Sequence, residues 1–143
     1  MWIYNNKEFT KEDIQDAIGF VYLITNLTNN RQYIGKKQFY SFTTSMKTVT
    51  LKSGEKKKKR VKKTSDSDWL TYYSSSIELN SDVELLGKEN FKREILYLCK
   101  TKGVMSYMEA KYQFQYEVLE KPSLWYNGHI QVRVHKSHIK ILQ

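Results

Sequence analysis

The stretch that most constrains the fold is "GFVYLITNLTNNRQYIGKK", residues Gly19 to Lys37. Phe20–Thr25 is β-branched and aromatic, "NLTNN" is a polar turn, and Arg31–Gly35 reads as the returning strand. Each strand carries one tyrosine, Tyr22 and Tyr33. Two aromatics facing each other across a hairpin is a packing arrangement found in many sheets. The same two phenols are reactive groups if distant parts of the chain supply charge and a proton path. The hairpin alone leaves both readings open.

The chain has 143 residues, which suits one domain spanning 1–143 with a modest core of its own. A single cysteine, Cys99, excludes an intrachain disulfide and a cysteine-built zinc site, so an intracellular, cytoplasmic setting is expected. No apolar run approaches the roughly 20 residues of a membrane span, and "MWIYNNKEFTKED" lacks the apolar stretch of a signal peptide. A soluble, unprocessed chain with no membrane partner is the expectation. The 11 Tyr, 6 Phe and 3 Trp suit either a compact core or surfaces on which bases stack.

Net charge is +9, and its placement matters more than its size. Lys52–Lys63 holds eight basic residues and one acid, a net +7, which leaves the remainder with 16 basic and 14 acidic residues. One segment therefore carries the basic character. A lysine run is either a solvated loop or a contact for a polyanion, since clustered Lys and Arg bind phosphates by releasing counterions. Lys56, Lys57, Lys58, Lys59, Arg60, Lys62 and Lys63 are the candidate phosphate contacts.

Elsewhere, "FTKEDIQDAIG" reads as a short helix with a Thr10/Asp13 capping box. "KTVTL", Ser53-Gly54 and "KKKKRVKK" read as a projecting hairpin within a Lys-rich insertion at about 40–66. "SSSIELNSDVELLG" suggests a helix burying Ile77, Leu79, Val83 and Leu86 and closed by Gly87. Phe91–Cys99 is an apolar run suited to a buried strand. "KTKGVMSYMEAKYQFQYEVLEKP" predicts a helix with a Ser106/Glu109 capping box, a stripe of Met108, Tyr112, Tyr116 and Leu119, and an end at Pro122. Asn127-Gly128 reads as a turn before an alternating strand at Ile130, Val132 and Val134. The class expected is α+β, a small central antiparallel sheet flanked by helices with an inserted basic β-hairpin.

His129, His135 and His138 have no acid or cysteine beside them to complete a metal ligand set, and read as phosphate contacts or plain surface. No glycine-rich phosphate loop or nucleophile elbow occurs. What the chain does contain, in order, is "FVY", "YIG", "YYSSSIEL", "LGKENFKREIL", "YMEAKYQF" and "WYNG". This succession, over residues 20 to about 130, resembles the GIY-YIG nuclease family.

The resemblance implies a metal-dependent DNA endonuclease that hydrolyses phosphodiester bonds and leaves 5′ phosphate and 3′ hydroxyl ends. It implies Tyr22 as water activator, Tyr33 as its assistant, Glu109 as the ligand of one Mg²⁺ (or Mn²⁺), and Asn127 in support. DNA, duplex or branched, is the implied partner, with a homodimer on DNA one way to cut both strands. Small stand-alone members of the family are associated with phages and mobile elements such as homing endonucleases. A phenol has a pKa near 10 and is a poor base at neutral pH without nearby cations. Lys36 and Lys37 lie in sequence where such charge is needed.

The family's arginine after the second motif is absent here, since no Arg follows "YIG" before Arg60. Lys36, Lys37 or Arg60 is the candidate replacement, and Tyr72 or Tyr73 the candidate for the family's next histidine or tyrosine. Glu109 keeps a second reading as a helix cap, and Asn127 one as a turn residue. Two rivals stand beside the nuclease: a non-catalytic nucleic-acid-binding protein on the same scaffold, and an RNA-associated basic module.

Overall fold

The computed structural model describes all of residues 1–143. Its centre is a five-stranded sheet in the order β2-β1-β7-β3-β4. The strands are β1 (Trp2–Tyr4), β2 (Lys7–Phe9), β3 (Gly19–Asn26), β4 (Gln32–Gln38) and β7 (Phe91–Cys99). Strands β5 (Tyr40–Thr50) and β6 (Lys56–Asp66) form a separate two-stranded arm. Helices α1 (Ile77–Leu86) and α2 (Lys102–Gln115) complete the α+β architecture.

The expected class holds, with one change: β1 runs parallel to β7, so the sheet is mixed. The N-terminal hairpin that causes this turns on Asn5 and Asn6, both with positive φ (50° and 64°). Asparagine tolerates that region better than most residues, and two such residues make the tight turn favoured between twisted strands. The segment after it, expected as a helix, makes only a 3-10 turn at Lys11–Asp13. Asp13 does accept the Thr10 backbone N–H (2.8 Å), so the box forms without a helix to extend it.

Period-2 alternation on β3 and β4 sorts side chains onto two cores. Phe20, Tyr22 and Ile24 face a core with Trp2, Phe39, Trp69, Leu79 and Val83, on the α1 side. Val21 and Ile34 face a second core with Val104, Met105, Met108 and Trp125, on the α2 side. Both layers are needed because a sheet buried on both faces has near-continuous apolar strands.

Helix α1 stops at Gly87 (φ 93°) as expected, and Leu79 and Val83 are buried. Ile77 is 86% exposed and Leu86 is only partly covered, so the buried face is narrower than the apolar spacing suggests. Helix α2 is capped more than a turn before the expected Ser106/Glu109 box. Thr101 is its N-cap, its hydroxyl accepting the Val104 N–H at 3.1 Å. Ser106 and Glu109 thus lie inside the helix and form no capping box. The helix ends at Gln115, short of Pro122, and Tyr116 and Leu119 are exposed.

The expected C-terminal strand is also absent. Instead residues 124–127 lie along the open edge of β4. The Gln32 N–H donates to the Leu124 carbonyl (2.9 Å) and the Tyr126 N–H to the Gln32 carbonyl (2.8 Å). Asn127 continues the ladder with its side chain: Oδ1 accepts the Ile34 N–H (3.1 Å) and Nδ2 donates to the Ile34 carbonyl (2.8 Å). A side-chain amide here does the work of a peptide group.

Candidate active site

Tyr22 pairs with Gly35 across the hairpin, and Ile24 pairs with Tyr33. The Tyr22 ring lies over the glycine, where a Cβ would meet its hydroxyl at 2.5 Å and its Cζ at 2.6 Å. Only glycine fits, which gives the Gly of "YIG" its physical reason. A register shift against β7 falls between Val21 and Tyr22, and bulges of this kind re-aim a side chain. The Tyr22 and Tyr33 ring centroids are 6.2 Å apart, and the Tyr72 ring stands edge-on to Tyr22, also at 6.2 Å.

Tyr22 is 1% exposed. Burial pushes its phenol well above the usual value, and the Tyr72, Tyr33 and Glu109 groups act in the same direction. In the free protein burial therefore outweighs any help from a neighbouring lysine. Tyr33 is less enclosed. Burial raises its phenol too, partly offset by a hydrogen bond with the Ser75 hydroxyl at 3.0 Å.

Lys36 and Lys37 are adjacent on a strand, so they point to opposite faces. Lys37 goes to the tyrosine side, where its ammonium sits 4.0 Å from the Tyr72 ring centroid and 2.6 Å from Asp68. That bond holds the Asp68 carboxyl below its ordinary range. Lys36 goes to the α2 side, where it donates to the Ser106 hydroxyl (3.0 Å) and lies 3.9 Å from Glu109.

Glu109 is mostly covered, its side chain 14% exposed. Burial pushes its carboxyl up, while Lys36 and His129 pull it back. Gln113, one turn further along α2, donates from Nε2 to the Ile34 carbonyl at 3.1 Å. Its own Oε1 is buried with no partner. Because β4 is the edge of the sheet, groups from both faces can meet around it. A cavity of about 390 Å³ does this, lined among others by Tyr33, Lys36, Ser75, Glu109, Asn127 and His129.

Of the residues singled out from sequence, Tyr33, Lys36, Glu109 and Asn127 share this cavity, and Tyr22 lies behind Gly35. Lys37 and Tyr72 form a neighbouring pair. Tyr73 is not brought in: its ring covers the Arg93 guanidinium at 4.4 Å, in a different hollow. Arg93 itself is buried and clamps the Leu70 and Tyr72 carbonyls (3.1 and 2.8 Å), which fixes Tyr72 against Tyr22. The seven basic residues of β6 lie on the exposed arm, outside the cavity. No arginine lines the cavity, and Arg31 pairs with Glu78.

His129 and Gln113 are cavity residues that the sequence reading did not place there. Gln113 was detectable, since i and i+4 share a helix face. His129 was not, because an irregular segment carries it.

No group of three or more His, Cys, Asp or Glu side chains exists that could cage a metal. A single carboxylate opening on a polar cavity still fits magnesium, which keeps most of its waters and takes one or two carboxylates plus substrate phosphate. No side chain hydrogen-bonds Glu109; its carboxylate is met by the Lys36 backbone N–H and, at 3.9 Å, by the Lys36 ammonium, which leaves it further lone pairs for a cation.

No curated protein and no solved structure matches the chain. A family model described as "Putative endonuclease segE, GIY-YIG domain" matches residues 2–130. That span takes in both tyrosine strands, the arm, both helices and Asn127, and so the chain belongs to the segE-type GIY-YIG endonuclease domain family.

Proposed function

We propose that the protein is a DNA endonuclease that hydrolyses phosphodiester bonds with the help of one divalent cation, Mg²⁺ or Mn²⁺, and that it belongs to the phage or mobile-element type. The observation that carries this reading is the convergence of Tyr33, Lys36, Glu109 and Asn127 on one cavity at the sheet edge. A cation held there by Glu109 would polarise a phosphate oxygen and acidify a bound water.

The chain's own groups have separable tasks. Lys36 supplies positive charge to the phosphate as negative charge builds in the transition state, as a point charge rather than a bidentate fork. Tyr33 faces the cavity and orients the attacking water. Tyr22 holds its proton in the free protein, so its service as water activator depends on positive charge in the loaded site offsetting burial. Asn127 keeps the Ile34 peptide, and with it the run from Tyr33 to Lys36, in register.

Cleavage of supercoiled plasmid in Mg²⁺ tests this. Glu109→Gln should lower the rate by about 10²-fold or more while DNA binding persists. The absence of an arginine from the cavity favours the rival, a non-catalytic DNA-binding protein. That rival wins if the wild-type chain binds DNA yet cuts neither duplex nor branched substrates in Mg²⁺ or Mn²⁺.

A further inference from the structure

The arm is paired only with itself along its whole length, from Tyr40↔Asp66 to Thr50↔Lys56. Seven of the eleven residues of β6 are basic, and none of the seven has an acidic partner. Their cross-strand neighbours on β5 are Thr, Val, Met and one further lysine, Lys47. Strand alternation splits them between faces. Lys56, Lys58, Arg60 and Lys62 share one face, and Lys57, Lys59 and Lys63 share the other. A ribbon lying flat on a phosphate surface needs cations on one face only. A ribbon with uncompensated cations on both faces is suited to two rows of phosphate, one on each side.

The arm's root is fixed relative to the site. Phe39 and Trp69, both buried, pack edge to face at 5.0 Å. The Ser67 hydroxyl donates to the Gln38 carbonyl (2.6 Å), and Lys11 pairs with Asp66 (2.7 Å). A second hollow, of about 220 Å³, runs from Lys36 and Lys37 to Tyr40 and Ser41 at the arm's root. Lys36 lines both hollows, so a polar track joins the Glu109 cavity to the arm.

We infer that the arm enters the major groove of duplex DNA edge-on, β6 inward, with its two basic faces set against the two flanking phosphate backbones. The dimensions agree. The major groove is about 12 Å wide and admits a two-stranded ribbon, whereas the minor groove, about 6 Å wide, does not. Eleven residues at about 3.3 Å each reach roughly 36 Å, close to one helical turn of B-DNA. With the root clamped beside Lys37, the scissile phosphate lies at a constant offset, within about one turn of the arm's footprint. This deepens the endonuclease reading and rests on it for the identity of the polyanion.

The test measures binding without cutting, so that a failure of catalysis and a failure of the groove assignment are told apart. The probe is a 30-base-pair duplex, and the full chain carries Glu109→Gln in buffer lacking divalent cations. Two charge variants neutralise one face each: Lys56, Lys58, Arg60 and Lys62 to Gln, or Lys57, Lys59 and Lys63 to Gln. Each should make the slope of log affinity against log salt shallower, by about 3.6 and 2.7 respectively at about 0.9 per phosphate. Protection should appear on both strands opposite the arm, and methylation of guanine N7 there should weaken binding. The inference is overturned if only one face changes the slope. It is equally overturned if N7 methylation has no effect, or if single-stranded DNA or structured RNA of the same length binds as tightly. All side chains exchanged are exposed, so the melting temperature should not move, and a variant that fails to fold is replaced by the corresponding single-lysine exchanges.

Discussion

At the scale of single residues, the contact between Tyr22 and Gly35 links packing to chemistry most directly. A methyl group at residue 35 would overlap the Tyr22 ring and also the Tyr33 Cε1 at 2.8 Å. Gly35→Ala should therefore destabilise the fold by about 1–3 kcal/mol, the usual range for overpacking, and displace the Tyr33 phenol at the cavity and the Tyr22 phenol behind it. Urea midpoints together with cleavage rates check this, and an alanine that left both unchanged would contradict the close approach. The two tyrosines and the glycine were legible as a motif, but their proton affinities were not. Lys37 does take the tyrosine face, yet Tyr22 is raised because it is buried, and the depth of that burial is set by Trp2, Phe20 and Tyr72 rather than by the hairpin itself. The sequence also left Tyr72 and Tyr73 as equal candidates, because two neighbouring aromatics in an irregular segment carry no periodicity to separate them.

At the scale of elements, the helix bearing Glu109 offers the sharpest contrast. A Ser-x-x-Glu spacing suggested a cap at Ser106, whereas Thr101 caps α2 and Ser106 sits more than a turn inside. Thr101→Ala should cost about 1 kcal/mol, and Ser106→Ala should cost much less, with thermal melts of the two variants as the measurement. Equal losses would restore the cap at Ser106. Displacing the cap removes the capping reading of Glu109, since a mid-helix glutamate caps nothing. Strands β3, β4 and β7 were readable because β-branched and aromatic runs bounded by turn residues have few alternatives. The N-terminal hairpin was hidden by its three-residue strands. The edge segment at 124–127 was hidden because its ladder is completed by the side chain of Asn127, which no backbone pattern announces.

For the molecule as a whole, stability should have an alkaline weakness. Burial pushes the Cys99 thiol from 9.0 up to about 12, and Tyr22 is raised above 10.0 in the same way. The unfolded chain releases these protons first, so above pH 9.0 it binds fewer than the folded chain and the unfolding free energy falls as pH rises. The stability is fully present below that pH and is lost progressively toward 12. Denaturation midpoints between pH 8 and 10.5 should show the decline, and Cys99→Ala should flatten its first part. A wild-type midpoint that stays level across that range would contradict the buried thiol.

The arm, finally, makes the protein electrically lopsided, since nearly all its excess positive charge sits on one projection while the body is almost balanced. Such a particle has a large permanent dipole moment, and in the field of a polyanion it rotates before it touches. Encounters would then begin tip-first, with the cavity trailing. For an arm that engages a groove as proposed, the order of events on the substrate would be set in free solution, by torque, before contact.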